Sequence, residues 1–209
     1  NILATIGGGM AMQKVVADQW QKMTGAPIAE GYGLSETSPV ACVNTPLIDG
    51  FTGHVGLPVP GTEVLILGEN DMEVPLGQAG EICIRGPQVM TQYWNMPEET
   101  RNVFTPDGYF RSGDIGVMDA DGYVKIIDRK KDMIKTGGEN VASREVEEMI
   151  YRLGEVSEVA VMASNVTSSV VLRFWSKGFP PPASNPVAST KTGTFTPSTV
   201  RPYSNTPGF

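Results

Sequence analysis

Hydrophobic positions follow two periods along this chain, helical near its start and again before residue 150, with short β-type runs in between. Ile2-Leu3-Ala4-Thr5-Ile6 is a strand-like apolar run that Gly7-Gly8-Gly9 interrupts. Residues 12–23 then carry Val15, Val16, Trp20 and Met23 at helical spacing and stop before Gly25-Ala26-Pro27, which predicts a strand, a turn and an amphipathic helix. From Gly53 to Arg111 the apolar runs shorten, as at 63–67 and 80–86, with turn residues between them, and predict a small antiparallel barrel or sheet. Pro97 followed by Glu98 and Glu99 suits a short helix start. Asp121-Gly122 predicts a hairpin turn between 117–118 and 123–124, and Gly137-Gly138 predicts a second between 133–135 and Val141. Residues 143–153 read as a helix capped by Ser143 with Gly154 past its end, and 156–162 read as a strand. No Asp or Glu occurs after Asn165, and Pro, Ser and Thr dominate. Such composition buries too little apolar surface to offset its ordering entropy, so disorder is expected there.

Composition narrows the function classes. A net charge of -7 and a sequence pI near 4.8 argue against a nucleic-acid partner, which needs Lys and Arg to neutralise phosphates. Any anion site must therefore be local. Cys42 and Cys83 have no CxxC spacing, so neither a disulfide framework nor a zinc site is supported, and a reducing, cytoplasmic setting is expected. No apolar run approaches the roughly 18 residues of a spanning helix, and no basic-then-apolar leader opens the chain. The chain starts at Asn1, inside an apolar run, and reads as an internal piece of a longer protein.

Three stretches carry candidate chemistry. In Glu30-Gly31-Tyr32-Gly33-Leu34-Ser35-Glu36-Thr37, glycines flank an aromatic ring, and two hydroxyls and a carboxylate fall within one turn. That set suits a base, a phosphate and Mg2+, although the stretch taken alone reads first as a polar loop with a helix cap. Tyr109-Phe110-Arg111-Ser112-Gly113-Asp114 delivers a carboxylate after a glycine, at the end of a short β run, where it can accept bonds from both hydroxyls of a ribose. Asp128-Arg129-Lys130-Lys131-Asp132-Met133-Ile134-Lys135-Thr136-Gly137-Gly138 is a charged connection leading into a glycine turn, a place that can pivot and present cations and free amides to an anion. A solvated surface hairpin is the alternative.

In this order, the three stretches resemble the AMP-forming acyl-CoA synthetase superfamily, with the resemblance covering about residues 1–163. Gly7-Gly8-Gly9-Met10, Gly61-Thr62-Glu63 and Gly86-Pro87-Gln88-Val89-Met90 resemble bacterial medium- and long-chain fatty-acyl-CoA ligases. The resemblance implies an α/β fold: residues 1–128 as the end of a large nucleotide-binding domain (α/β unit 1–50, β-barrel about 51–128), 129–163 as hinge and start of a small α+β lid, and 164–209 as a disordered or unrelated tail. It implies that a carboxylic acid, such as a fatty acid, reacts with ATP and Mg2+ to an acyl-adenylate and then with CoA to a thioester.

By resemblance, Tyr32 packs on adenine with Glu30, Gly31 and Gly33 beside it, Ser35 meets the α-phosphate, and Glu36 holds Mg2+. Asp114 takes the ribose with Arg129 assisting, and Gly8, Gly9 and Met10 line the adenylate and acyl pocket. Lys131 stands at the hinge, and Lys135, Gly137 and Gly138 form the loop that serves the second step. Ser35 replaces the family's Thr and Ala11 its Pro. The family's upstream phosphate loop and C-terminal catalytic Lys have no counterpart here, which leaves open a catalytically silent nucleotide-binding piece, or an adenylating enzyme with another acyl acceptor.

Overall fold

The computed structural model describes residues 2, 5–9, 12–136, 139–152, 156–163 and 170–176, and the chain divides into two compact units, Asn1–Lys131 and Asp132–Phe209. The first unit begins with β1 (Thr5–Gly7), α1 (Lys14–Thr24) and β2 (Ile28–Tyr32). β1 and β2 run parallel, Thr5 opposite Ile28, so the predicted strand-turn-helix closes into a βαβ unit. Gly25 ends α1 at φ 76, where its N–H reaches the Gln21 carbonyl. Of the predicted apolar stripe, Val15, Val16 and Met23 stay exposed. β3 (Cys42–Val43) and β4 (Leu57–Pro58) extend this sheet with antiparallel pairings, so it reaches beyond the expected boundary at residue 50.

The second sheet consists of β5 (Glu63–Leu67), β6 (Gly80–Arg85), β7 (Phe110–Met118) and β8 (Val124–Arg129), antiparallel neighbours in chain order. The short helix α2 (Pro97–Asn102) lies between β6 and β7, with Pro97 in its first turn. This sheet is open, with β5 and β8 at its edges among the described residues, and corrects the expectation of a barrel. Turn spacing makes neighbouring runs antiparallel, but closure requires a tilt and stagger that local patterning does not encode. β6 is buried on both faces. Ile82 and Ile84 meet Tyr32, Val64, Ile66 and Val124, joining the two sheets through one core, while Cys83 packs with Leu67 and Tyr109 on the other face.

The second unit opens with the predicted hairpin, β9 (Ile134–Thr136) against β10 (Glu139–Val141), Ile134 opposite Val141. α3 (Ser143–Tyr151) follows with Ala142 at its cap, so Ser143 is the first helical residue and not the cap. Val146, Ile150 and Tyr151 of α3 pack on a core of Ile134, Val159 and Val161. β11 (Val156–Ala163) pairs antiparallel with β12 (Val170–Ser176), which corrects the expected disorder of that part of the tail. Val170-Val171-Leu172-Arg173-Phe174-Trp175 is rich in β-branched and aromatic residues, a local signal that averaging with the surrounding Pro, Ser and Thr conceals. The remainder of the expected tail, 164–169 and 177–209, lies outside the described residues. No described helix is long and apolar enough to cross a membrane.

Candidate functional site

A groove of about 770 Å³ opens in the first unit, and three segments line it: 33–36 after β2, 112–114 within β7, and 129–131 at the end of β8. Each is held by identifiable contacts. Ser35–Thr37 forms one tight 3-10 turn in which Thr37 is fully buried. Its hydroxyl accepts the Leu34 N–H at 2.9 Å and lies 3.0 Å from the carbonyl oxygens of Leu34 and Pro39. Gly33 runs so close to the next turn that a Cβ would sit 1.5 Å from the Pro39 carbonyl oxygen, so only glycine fits. Glu36 is oriented from outside its own turn: the Tyr93 hydroxyl donates to Oε1 at 2.8 Å, and the Met90 N–H donates to the Glu36 carbonyl at 2.8 Å. Desolvation first, and the Glu36 carboxylate second, push the Tyr93 phenol up to about 12.

The segment 112–114 is a bulge. β6 advances from Glu81 to Cys83 while β7 runs from Ile115 to Arg111, so residues 112–114 bow out of the ladder, with Gly113 at φ 74. Asp114 therefore sits inside a long strand, not at the end of a short one as its sequence context suggested. It is 7% exposed. Its Oδ2 accepts the Tyr32 hydroxyl at 2.7 Å, and its Oδ1 lies 3.7 Å from Arg129 Nε. Burial, and then the Asp114 charge, raise the Tyr32 phenol well above its ordinary value, so Tyr32 is a neutral donor at any physiological pH.

The groove unites Gly33, Ser35, Glu36, Asp114, Arg129 and Lys131 of the predicted site residues. Tyr32 reaches it only through Asp114, its ring being packed in the core. Gly31 and the buried Glu30 lie on β2, and a Cβ on Gly8 would come within 3.1 Å of the Gly31 carbonyl oxygen, so these backbones touch. Gly9, at φ 82, is exposed after β1. Lys135 is exposed on β9 of the second unit, whereas Met10, Gly137 and Gly138 lie outside the described residues.

Sequence reasoning missed Tyr93 and Glu81. Tyr93 has no local signal, because its partner is 57 residues away. Glu81 had one, an acid directly before the apolar run Ile82-Cys83-Ile84 in a predicted strand. Its buried carboxylate accepts the Gly113 N–H at 3.2 Å and Lys130 Nζ at 2.8 Å. Among the described residues no group of three or more His, Cys, Asp or Glu is placed to hold a metal.

The family model for AMP-binding enzymes matches residues 2–94. The chain is 48% identical over 156 residues to the long-chain-fatty-acid–CoA ligase of Salmonella typhimurium, covering 75% of this chain and 28% of that protein. Residues 2–94 of this chain belong to the AMP-binding enzyme family. The corresponding ligase of Bacillus subtilis is 42% identical over 162 residues, 77% of this chain and 29% of its own. Among solved structures, ATP-bound MatB from Rhodopseudomonas palustris superposes with a TM-score of 0.76 at 35% identity, over 81% of this chain and 34% of MatB. The chain thus spans less than a third of the length of the curated relatives it matches.

Proposed function

We propose that this chain supplies the nucleotide site and the pivot of an ATP-dependent, AMP-forming carboxylic acid–CoA ligase acting on fatty acids in the cytoplasm. The observation that carries the reading is one groove holding a braced carboxylate, Asp114, and a second oriented carboxylate, Glu36, with Arg129 and Lys131 beside them.

The chemistry follows from that set. Asp114 accepts both ribose hydroxyls, and because Tyr32 and Arg129 already fix its oxygens, little orientation is lost on binding. Ser35, exposed on the 3-10 turn, presents a hydroxyl to the α-phosphate. Tyr93 occupies one oxygen of Glu36 and leaves the other to a cation, which suits Mg2+, an ion that takes one or two carboxylates together with substrate phosphates. When bound, that ion offsets charge on the phosphate oxygens during attack by the substrate carboxylate. The backbones at Gly8 and Gly31, with Gly9 beside them, border the adenylate and acyl pocket. The second step needs other donors at the same carbonyl, and Lys131, last residue of the first unit, is the pivot for the following segment that carries Lys135, Gly137 and Gly138.

The test is ATP–pyrophosphate exchange with a fatty acid, in a full-length ligase carrying residues 1–163. Exchange that Asp114→Ala lowers at least tenfold supports the reading, on the expectation of about 1.5–3 kcal/mol for a charged hydrogen-bond acceptor. Exchange unaltered by the substitution removes Asp114 from the site.

A further inference from the structure

The bulge that aims Asp114 and the residue preceding the pivot are tied to the same buried side chain. Glu81 lies on the central strand β6, its side chain only 8% exposed. Oε1 accepts the Gly113 N–H at 3.2 Å; Oε2 accepts Lys130 Nζ at 2.8 Å and lies 3.7 Å from Arg111 Nη1. The Lys130 N–H in turn donates to the Gly113 carbonyl at 2.8 Å. Gly113 is thus gripped through both of its backbone polar groups, one by Glu81 and the other by the residue Glu81 holds. Asp114 is the next residue after Gly113, and Lys131 the next after Lys130. Stability alone is a weak reason for this arrangement, since a well-packed apolar residue often replaces a buried ionic group at no loss.

The geometry points to Glu81 as a positioning residue that holds the Asp114 bulge and the approach to the Lys131 pivot in one clasp, so that nucleotide affinity depends on Glu81 through Asp114. This rests on the nucleotide-site reading above. Glu81 does not touch the groove, and Gln in its place keeps an acceptor for Gly113 while releasing Lys130.

The test is a KM and kcat comparison in the pyrophosphate-exchange reaction of a full-length ligase carrying residues 1–163. Glu81→Gln is expected to raise KM for ATP about tenfold with kcat at saturating ATP within about threefold, the pattern of lost binding rather than lost chemistry. In an Asp114→Ala background the same substitution should add less than about twofold, because its effect runs through Asp114. If Glu81→Gln folds poorly, Lys130→Gln adds the measurement: it should raise KM similarly and add less than about twofold in the Asp114→Ala background, whereas direct contact of this groove-lining residue with nucleotide would act undiminished there and overturn the clasp. A merely structural Glu81 lowers kcat and melting temperature together and acts undiminished in the Asp114→Ala background; either result overturns the clasp. If Asp114→Ala itself leaves KM for ATP unchanged, the nucleotide site falls, and the clasp with it.

Discussion

The contact between Tyr32 and Asp114 makes a quantitative prediction that requires no catalysis. Both residues are more than nine-tenths buried, at 8% and 7% exposure, and the hydroxyl donates to Oδ2 at 2.7 Å. Asp114→Ala leaves that hydroxyl buried without its acceptor, a cost of about 1–3 kcal/mol. Tyr32→Phe removes one donor from a carboxylate that keeps Arg129 Nε at 3.7 Å, so its loss should fall near the lower end of that range. In the double variant no polar group is stranded, and the total loss should be smaller than the two single losses added, by about 1–3 kcal/mol. Urea unfolding of the four proteins measures the cycle. Single losses that add within about 0.5 kcal/mol would refute the buried bond, since that is how independent sites behave.

Three further outcomes follow from the same contacts. Glu36→Gln should raise the Mg2+ and ATP concentrations needed for pyrophosphate exchange while shifting the melting temperature little, because its side chain is bonded to Tyr93 and not packed in the core; simple unfolding would return Glu36 to a structural role. Lys131→Pro in a full-length ligase should restrict φ near -65° at the unit boundary, so that adenylate still forms while its transfer to CoA collapses; single-turnover measurement of each half-reaction decides, and parallel loss of both contradicts the pivot. Stability should decline in alkali, because burial pushes the thiols of Cys42 and Cys83 up to about 12 and raises Tyr32 as well. A raised pKa favours the protonated group in the folded state, so this stability is fully present below the unfolded thiol value of about 8.5 and is lost as pH climbs towards 12. Urea midpoints that stay flat from pH 8 to 11 would contradict it.

What the sequence made legible was local. The strand-turn-helix start, the two hairpins and the helix after Ala142 follow from periodicity and glycine turns, whereas β2 was not foreseen, and the boundaries of α1 and β11 moved by one or two residues. Asp114, Glu36 and Lys131 were named as candidates because the motifs around them are short and contiguous, and the structure places all three along one groove. The open sheet was not, since whether β5 meets β8 is decided by tilt across four strands, which no single strand records. β12 was hidden by its neighbours' composition. Tyr93 and Glu81 act across 57 and 49 residues of chain respectively, on Glu36 and Lys130, and a linear reading carries no register for such contacts. The tyrosine ring expected to face a ligand instead completes the core between the two sheets and sends only its hydroxyl towards the site.

The central claim, that one groove formed by 33–36, 112–114 and 129–131 receives the ribose and phosphates of ATP, is tested most directly by amide NMR of the 209-residue chain titrated with Mg2+–ATP. The account predicts saturable shifts concentrated at Gly33, Ser35, Glu36, Gly113, Asp114 and Arg129, and their loss in Asp114→Ala. Saturable shifts elsewhere with these amides unmoved, or no shift at millimolar nucleotide, would contradict it.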